Sequence, residues 1–135
     1  MRWRRVLCDR FVHMTKIALV GHCGVDGPRI EAQIQFILDA ADVTTANDPD
    51  ALNRIVDQGV DLLLFNRELG FGFGDEQGVA VMAALRECHP DVKMMLISDY
   101  PDAQAAAKEV GALRGFGKAD LGTSRVERAL RDALS

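Results

Sequence analysis

Short apolar runs alternate with amphipathic stretches five times between Lys16 and Leu134, and this alternation limits the possible folds more than any other feature. The predicted strands are 17–20, 43–46, 61–66, 93–98 and 113–116, and each is followed by a predicted helix. Strands that alternate with helices are joined by right-handed crossovers and form a parallel sheet. Capping patterns at Asp48-Pro49 and at Ser124 with Glu127 predict the starts of two of the helices.

The length of the chain favours one domain with a familiar strand order. The 135 residues are 48% hydrophobic, which suffices for a single core. Five strands in this length predict an α/β fold of flavodoxin-like type: a doubly wound five-stranded parallel sheet, order 2-1-3-4-5, with helices on both faces. We assign residues 16–135 to this domain.

Residues 1–15 do not share the pattern of the rest of the chain. Their apolar part is too short for the core of a secretory signal, and Met14 could itself start translation. We predict a disordered leader without function, and a basic interaction arm is the alternative. The arm would depend on Trp3 and the arginines around it, Arg2, Arg4, Arg5 and Arg10.

Charge and cysteine content narrow the possible partners and the compartment. The net charge of -4 gives no attraction for nucleic acid or for an anionic membrane surface. No apolar run reaches the roughly 18 residues of a membrane span. Cys8, Cys23 and Cys88 are odd in number and lack CxxC spacing. We therefore expect free thiols in the cytoplasm, and neither nucleic acid nor membrane as a partner.

The run Asp61–Asn66 has the pattern of a central strand that is buried on both faces and ends in a polar side chain. The last residue of such a strand lies at the carboxyl edge of the sheet, where open α/β sheets bind their ligands. A carboxylate there could attack a phosphoryl donor. The amide of Asn66 is uncharged and its nitrogen lone pair is delocalised, so it cannot.

Three segments carry a resemblance to a known family: Asp61–Asn66, Gly78–Arg86, and Gly111-Ala112 followed by Lys118. In this order and spacing, Lys16–Leu134 resembles the receiver domain of two-component response regulators (CheY-like). In that family an acidic pair after the first strand holds Mg²⁺, and an aspartate after the third strand accepts the phosphoryl group. A serine or threonine after the fourth strand and a lysine after the fifth contact the phosphoryl oxygens.

The resemblance carries only part of that site over to this chain. Ser98 and Lys118 are retained at the phosphate-contact positions, whereas the acidic pair falls on Gly21 and His22 and the acceptor falls on Asn66. Mg²⁺ prefers oxygen ligands, and phosphoryl transfer needs it to offset developing charge. We therefore predict a degenerate receiver, or pseudo-receiver, that binds no metal or cofactor, is not phosphorylated and is not an enzyme.

The two retained residues need a separate explanation. They are relics of ancestry, or they hydrogen-bond to the side-chain oxygen of Asn66, and we favour the second. Because a buried lysine without a partner would be costly, we also expect Lys118 to stay near the surface or to find another acceptor.

The family usually has a glycine about eight residues after the acceptor, and Gly78 comes twelve residues after Asn66, so the intervening loop is longer. Its segment Gly70–Gly74 would lie over the pocket. Phe71 and Phe73 then either form an apolar contact surface for a partner or fold back and plug the vacant pocket.

Three alternatives to an unphosphorylated receiver remain. A displaced carboxylate, Asp99 or Glu68, could accept phosphate in a conventional response regulator. Cys23 follows the first strand and precedes a helix, a position similar to that used by phosphocysteine sugar-transport domains. A metal site shared by His22, Cys23, Cys88 and His89 is disfavoured, because the first two follow a strand and the last two precede one, at opposite ends of the sheet.

The sequence thus predicts a signalling module that works by binding a protein of unknown identity. In the receiver family, the face of the fourth helix, fifth strand and fifth helix commonly forms dimers. Here that face would draw on Gln104, Lys108, Arg114 and Arg125, and a homodimer is expected.

Overall fold

A computed structural model describes residues 14–135 and contains a five-stranded parallel sheet in the order β2-β1-β3-β4-β5. The predicted fold class and strand order are therefore confirmed. The first strand begins one residue before the predicted start of the domain, and residues 1–13 of the predicted leader lie outside the described residues. The strands are β1 (Thr15–Val20), β2 (Ala41–Ala46), β3 (Leu62–Asn66), β4 (Met94–Ile97) and β5 (Leu113–Phe116).

Five α-helices connect and follow the strands. They are α1 (Asp26–Ile37), α2 (Pro49–Gln58), α3 (Gly78–Cys88), α4 (Pro101–Glu109) and α5 (Ser124–Leu134). The predicted cap of α2 is confirmed, because the Asp48 carboxylate accepts the Ala51 N–H at 2.8 Å. The predicted Ser124 cap of α5 is wrong. The Thr123 hydroxyl accepts the Arg125 N–H at 3.4 Å, and Glu127 pairs with Arg131.

The sheet separates two apolar layers. Leu63 and Phe65 of β3 face one layer with α2, α3 and α4, and Leu62 and Leu64 face the other with α1 and α5. All four side chains are fully buried, as expected for a central parallel strand. Polar groups on β3 are thus confined to its end, where Asn66 is half-buried at the carboxyl edge.

The edge strand and the helices complete the description. β2 alternates between half-buried and exposed positions over most of its length, in agreement with its predicted place at the edge of the sheet. Within residues 14–135, no helix has both the length and the apolar character needed to cross a membrane.

Candidate functional site

Asn66 joins the end of β3 to two neighbouring backbone segments. Its side-chain Nδ2 donates to the Gly21 carbonyl at 3.2 Å and to the Glu68 carbonyl at 2.9 Å. Both interactions need a hydrogen-bond donor, and an ionised carboxylate has none. The amide at this position is therefore matched to its surroundings, since an aspartate would face two carbonyl oxygens.

Leu69 occupies the space beside the first position of the predicted acidic pair. Gly21 has a φ of +72°, and a Cβ built on it would lie 2.7 Å from the Leu69 Cα. Leu69 is only 3% exposed, so its side chain is part of the core. An aspartate at residue 21 would suffer both an unfavourable backbone conformation and this collision. The place where the family holds its metal does not fit a magnesium ion in this chain.

His22 is turned towards the sheet. Its Nε2 lies 2.9 Å from the Leu64 carbonyl and therefore carries the proton in that bond, which leaves Nδ1 as an acceptor. Nδ1 is buried and has no hydrogen-bond partner among residues 14–135. The pKa of His22 is lowered to about 4, mainly by burial. The charge of Lys118 also lowers this pKa, whereas the hydrogen bond to Leu64 and the charge of Asp26 raise it. The imidazole is thus neutral at pH 7.

Lys118 forms an ion pair with Asp26 at the start of α1, with 2.6 Å between Nζ and Oδ2. Its side chain is 34% exposed, so the expectation that it stays near the surface or finds another acceptor is confirmed. The Lys118 hydrogen bond is the main cause that lowers the pKa of Asp26. Asp26 is the one carboxylate that reaches the retained lysine within the described part of the chain.

The expected hydrogen bonds from Ser98 and Lys118 to Asn66 are absent from the described residues, and that prediction is wrong. Ser98 is buried, and its hydroxyl accepts the Tyr100 N–H at 3.1 Å. The three side chains nevertheless line one cleft of about 320 Å³ between the ends of β3 and β4. The fold therefore brings the predicted residues together, but Asp26 and Tyr100 supply the partners of the retained pair.

The two displaced carboxylates have other contacts. Asp99 accepts the Ala119 N–H, with 3.1 Å to Oδ1 and 3.3 Å to Oδ2. Glu68 lies 3.3 Å from Arg67 and its side chain is 63% exposed. Both residues line the cleft, yet Asp99 is held by backbone and Glu68 points largely to water.

The two phenylalanines of the long loop differ in burial. Phe73 is 5% exposed and packs in the layer that contains Leu52, whereas Phe71 is 93% exposed. Gly72 passes so close to the Asn47 carbonyl that a Cβ would lie 1.8 Å from its oxygen. The loop therefore packs on the β2 side of the sheet. Neither ring lines the cleft at Asn66, so the proposed phenylalanine plug is wrong, and Leu69 is the residue that fills the space beside Gly21.

The cysteines do not gather into a metal site. Cys23 is exposed, and its sulfur accepts the Asp26 N–H at 3.3 Å. Cys88 is exposed at the end of α3. Among residues 14–135, no three His, Cys, Asp or Glu side chains are placed to share a metal ion.

One residue of the predicted dimer face has an internal role. The Gln104 side-chain nitrogen donates to the Leu96 carbonyl at 2.9 Å and to the Ser98 carbonyl at 3.0 Å. Lys108, Arg114 and Arg125 are exposed. Gln104 thus joins α4 to β4 and is not a free contact residue, which corrects the predicted composition of that face.

Sequence reasoning missed Asp26 and Leu69. Asp26 lies four residues beyond His22, outside the positions of the predicted acidic pair. Its position in the sequence therefore gives no sign that Asp26 forms the ion pair with Lys118. A positive φ at Gly21 was detectable in principle, because glycine directly after a strand often marks such a conformation. The collision with Leu69 depends on the path of a loop almost fifty residues later, which only the folded chain shows.

The comparisons with known proteins agree on the fold. No family model and no curated protein matches the chain. A putative response regulator from Chloroflexus aurantiacus matches with a TM-score of 0.74 at 16% identity, over 90% of this chain and 98% of that one. A response regulator from Thermotoga maritima gives 0.70 at 16% identity, with the same coverage of 90% and 98%. The beryllofluoride-activated NtrC4 receiver domain dimer gives 0.66 at 20%, over 89% and 93%. This chain therefore has the fold of response-regulator receiver domains.

Proposed function

We propose that this chain is a receiver-like signalling domain that acts by binding a protein, without phosphorylation of an aspartate and without enzymatic activity. One observation carries the proposal: Asn66 stands at the acceptor position and uses its amide as a donor to the Gly21 and Glu68 carbonyls. A phosphoryl acceptor needs an anionic oxygen, and this position is built around an N–H group.

The charges around the site support the same proposal. Mg²⁺ binds to carboxylates, carbonyls and water, and the receiver mechanism needs it to offset charge on the phosphoryl oxygens. Asp26 is neutralised by Lys118, and the place beside Gly21 is filled by Leu69. His22 is a nitrogen ligand and its Nε2 already donates to Leu64. The site thus lacks free oxygen ligands of negative charge in the family's positions.

A conventional response regulator with a displaced acceptor is the weaker proposal. Asp99 would have to give up its contacts with the Ala119 N–H before it could attack phosphorus. Glu68 is exposed, but among residues 14–135 it belongs to no group of three His, Cys, Asp or Glu side chains that could share a metal ion. A phosphocysteine at Cys23 is weaker still, because residues 24–27 that follow it contain no Ser or Thr hydroxyl to contact a phosphate.

The proposed protein binding includes self-association of the chain. The solved NtrC4 receiver is a dimer in its active form. By analogy we propose a homodimer through the α4, β5 and α5 face of this chain, with Lys108, Arg114 and Arg125 as its exposed cations. Gel filtration with light scattering would test this part independently of phosphorylation.

The phosphorylation claim is tested by incubation with acetyl phosphate and Mg²⁺, followed by intact mass measurement. We expect no phosphoryl adduct on the wild-type chain, while a phosphorylatable receiver in the same buffer is modified. A Mg²⁺-dependent adduct that hydroxylamine removes would reveal an acyl phosphate and overturn the proposal. Peptide mapping of such an adduct to Asp99 or Glu68 would establish the displaced acceptor.

A further inference from the structure

An apolar groove of about 590 Å³ lies between α2 and α3 on the face opposite α1 and α5. Its volume is in the range of pockets that bind ligands and anchor side chains. Asn66, Ser98 and Lys118 at the sheet edge do not line it, whereas Phe73 of the long loop does. Its lining includes Leu52, Phe73, Ala80, Val81, Ala84 and Cys88.

Helix α3 is apolar on more sides than the core can cover. Residues 79–85 are all hydrophobic, and a helix that is hydrophobic all round is normally buried. Met82 and Leu85 face the core, whereas Ala80, Ala84 and Cys88 are exposed at i, i+4 and i+8 on the groove side. These short side chains would let a second helix approach closely. The exposed side of α3 therefore has the character of an interface.

The segments that bound the groove, residues 49–58 and 71–89, contain more carboxylates than basic side chains. Arg86 is half-buried and donates to the Pro90 and Gly111 carbonyls, so it is directed away from the groove. Arg54 is the other cation of these segments, which contain no lysine. Glu76 is the one carboxylate that lines the groove, and the other exposed carboxylates of these segments are Asp50, Asp57, Asp75 and Glu87. An apolar surface with an acidic surround complements a helix that has an apolar stripe and basic flanks.

We propose that the groove between α2 and α3 binds an amphipathic, cationic helix of a partner protein. This inference rests on the proposed function, since it names the surface and the class of partner for a module that signals by binding. A second copy of the chain fits the groove less well. A two-fold contact through this face would set the same carboxylates against each other, and like charges oppose such pairing.

The test uses two fluorescein-labelled model helices and two variants of the chain. One peptide is built from leucine and lysine, and the other has glutamate in place of every lysine. Ala84→Glu obstructs the groove, and Ala105→Glu makes the same change at an exposed position of α4. Fluorescence polarisation at physiological ionic strength gives the affinities, and circular dichroism checks the folding of both variants.

The two glutamate variants separate docking from simple attraction. Both add one negative charge, so a purely electrostatic association would become tighter in both. If the lysine peptide binds in the groove, Ala84→Glu should lower the affinity of the chain for this peptide about tenfold. Ala105→Glu should change the same affinity by less than about twofold. The glutamate peptide should bind the wild-type chain at least about tenfold more weakly than the lysine peptide.

Equal affinity of both variants for the lysine peptide would overturn the proposal, as would equal affinity of the two peptides for the wild-type chain. Amide chemical shifts of the ¹⁵N-labelled chain locate the bound lysine peptide. Shifts confined to the α4, β5 and α5 face would also overturn the proposal. That last result would leave signalling by protein binding intact. A phosphoryl adduct in the acetyl phosphate experiment would instead overturn the proposed function, so the two failures are distinguishable.

Discussion

At the scale of single residues, the contacts of the site depend on which atoms donate hydrogen bonds and which accept them. Asn66 differs from aspartate by one amide group, and that group contacts two carbonyls. Lys118, which the resemblance places at a phosphate-contact position, pairs with Asp26. The retained lysine and the missing acceptor are thus consistent with each other, because the positive charge has found a different partner.

His22 gives the pH dependence of stability a defined window. In the unfolded chain its pKa is near 6.5, and burial lowers it to about 4 in the folded one. The unfolded state therefore binds a proton between these values while the native state does not, and stability falls as the pH drops through that window. We predict a loss of about 2 kcal/mol between pH 7 and 4.5 from this residue alone.

Urea unfolding of the wild-type chain and of His22→Gln across this pH range measures the effect. Glutamine keeps an N–H donor for the Leu64 carbonyl but does not titrate, so its stability curve should be flatter by the stated amount. Parallel curves for the two proteins would show that His22 does not carry the pH dependence.

At the scale of elements, the long loop after β3 is a packed part of the fold. Leu69 and Phe73 are buried in the layer with α2 and α3, and the Leu69 N–H donates to the Glu76 carbonyl at 3.0 Å. The loop thereby closes the region beside Gly21 that the family keeps polar.

The two phenylalanines of this loop provide a matched pair of substitutions. Phe73→Ala should lower the free energy of unfolding by about 3 kcal/mol, because it removes a buried ring and leaves a cavity. Phe71→Ala should change it by less than about 0.5 kcal/mol, because that ring is 93% exposed. Chemical denaturation measures both. Similar losses for the two variants would contradict the described packing of the loop.

The junction of α4 with β4 and β5 depends on Gln104. The pairing of β4 with β5 shifts register between Met95 and Ile97, and a Cβ on Gly115 would lie 2.0 Å from the Leu96 carbonyl oxygen. The Gln104 side chain satisfies that carbonyl and the one of Ser98. A larger residue at 115 is excluded by the same close approach.

Gln104→Leu keeps the side-chain volume similar but leaves both carbonyls without this donor. We predict a loss of about 2 kcal/mol in the free energy of unfolding and faster amide exchange in β4 and β5. Gln35→Leu on the exposed side of α1 is the matched control and should have little effect. If the two variants are equally stable, the Gln104 bonds contribute nothing.

At the scale of the whole molecule, the fold could be predicted because most local signals agreed, although the cap of α5 is Thr123 and not the predicted Ser124. Alternating periodicity, the Asp48-Pro49 cap and the apolar run of β3 each matched the structure. The contacts of the site were less readable, because they join distant segments. Gly21 meets Leu69, and Asp26 meets Lys118 across ninety-two positions. Spacing shows where a strand ends, but the packing of a loop decides which side chain fills the space beyond it.

The chain combines the fold of receiver domains with a leucine beside Gly21 and an amide donor at residue 66. Restoring one carboxylate should therefore not restore the chemistry. In Asn66→Asp, the new oxygens would face the Gly21 and Glu68 carbonyls, and Leu69 would still fill the neighbouring space.

The most direct test is a titration of the ¹⁵N-labelled chain and of Asn66→Asp with Mg²⁺, alone and with beryllofluoride, followed by amide chemical shifts. We predict that the amides of Gly21, Asn66 and Ser98 show no saturable shift in either protein. Saturable, Mg²⁺-dependent shifts at the ends of β1 and β3 in the wild-type chain would contradict this prediction, because they would show a divalent cation beside Gly21 and Asn66, where Leu69 and the Asn66 amide leave no place for one.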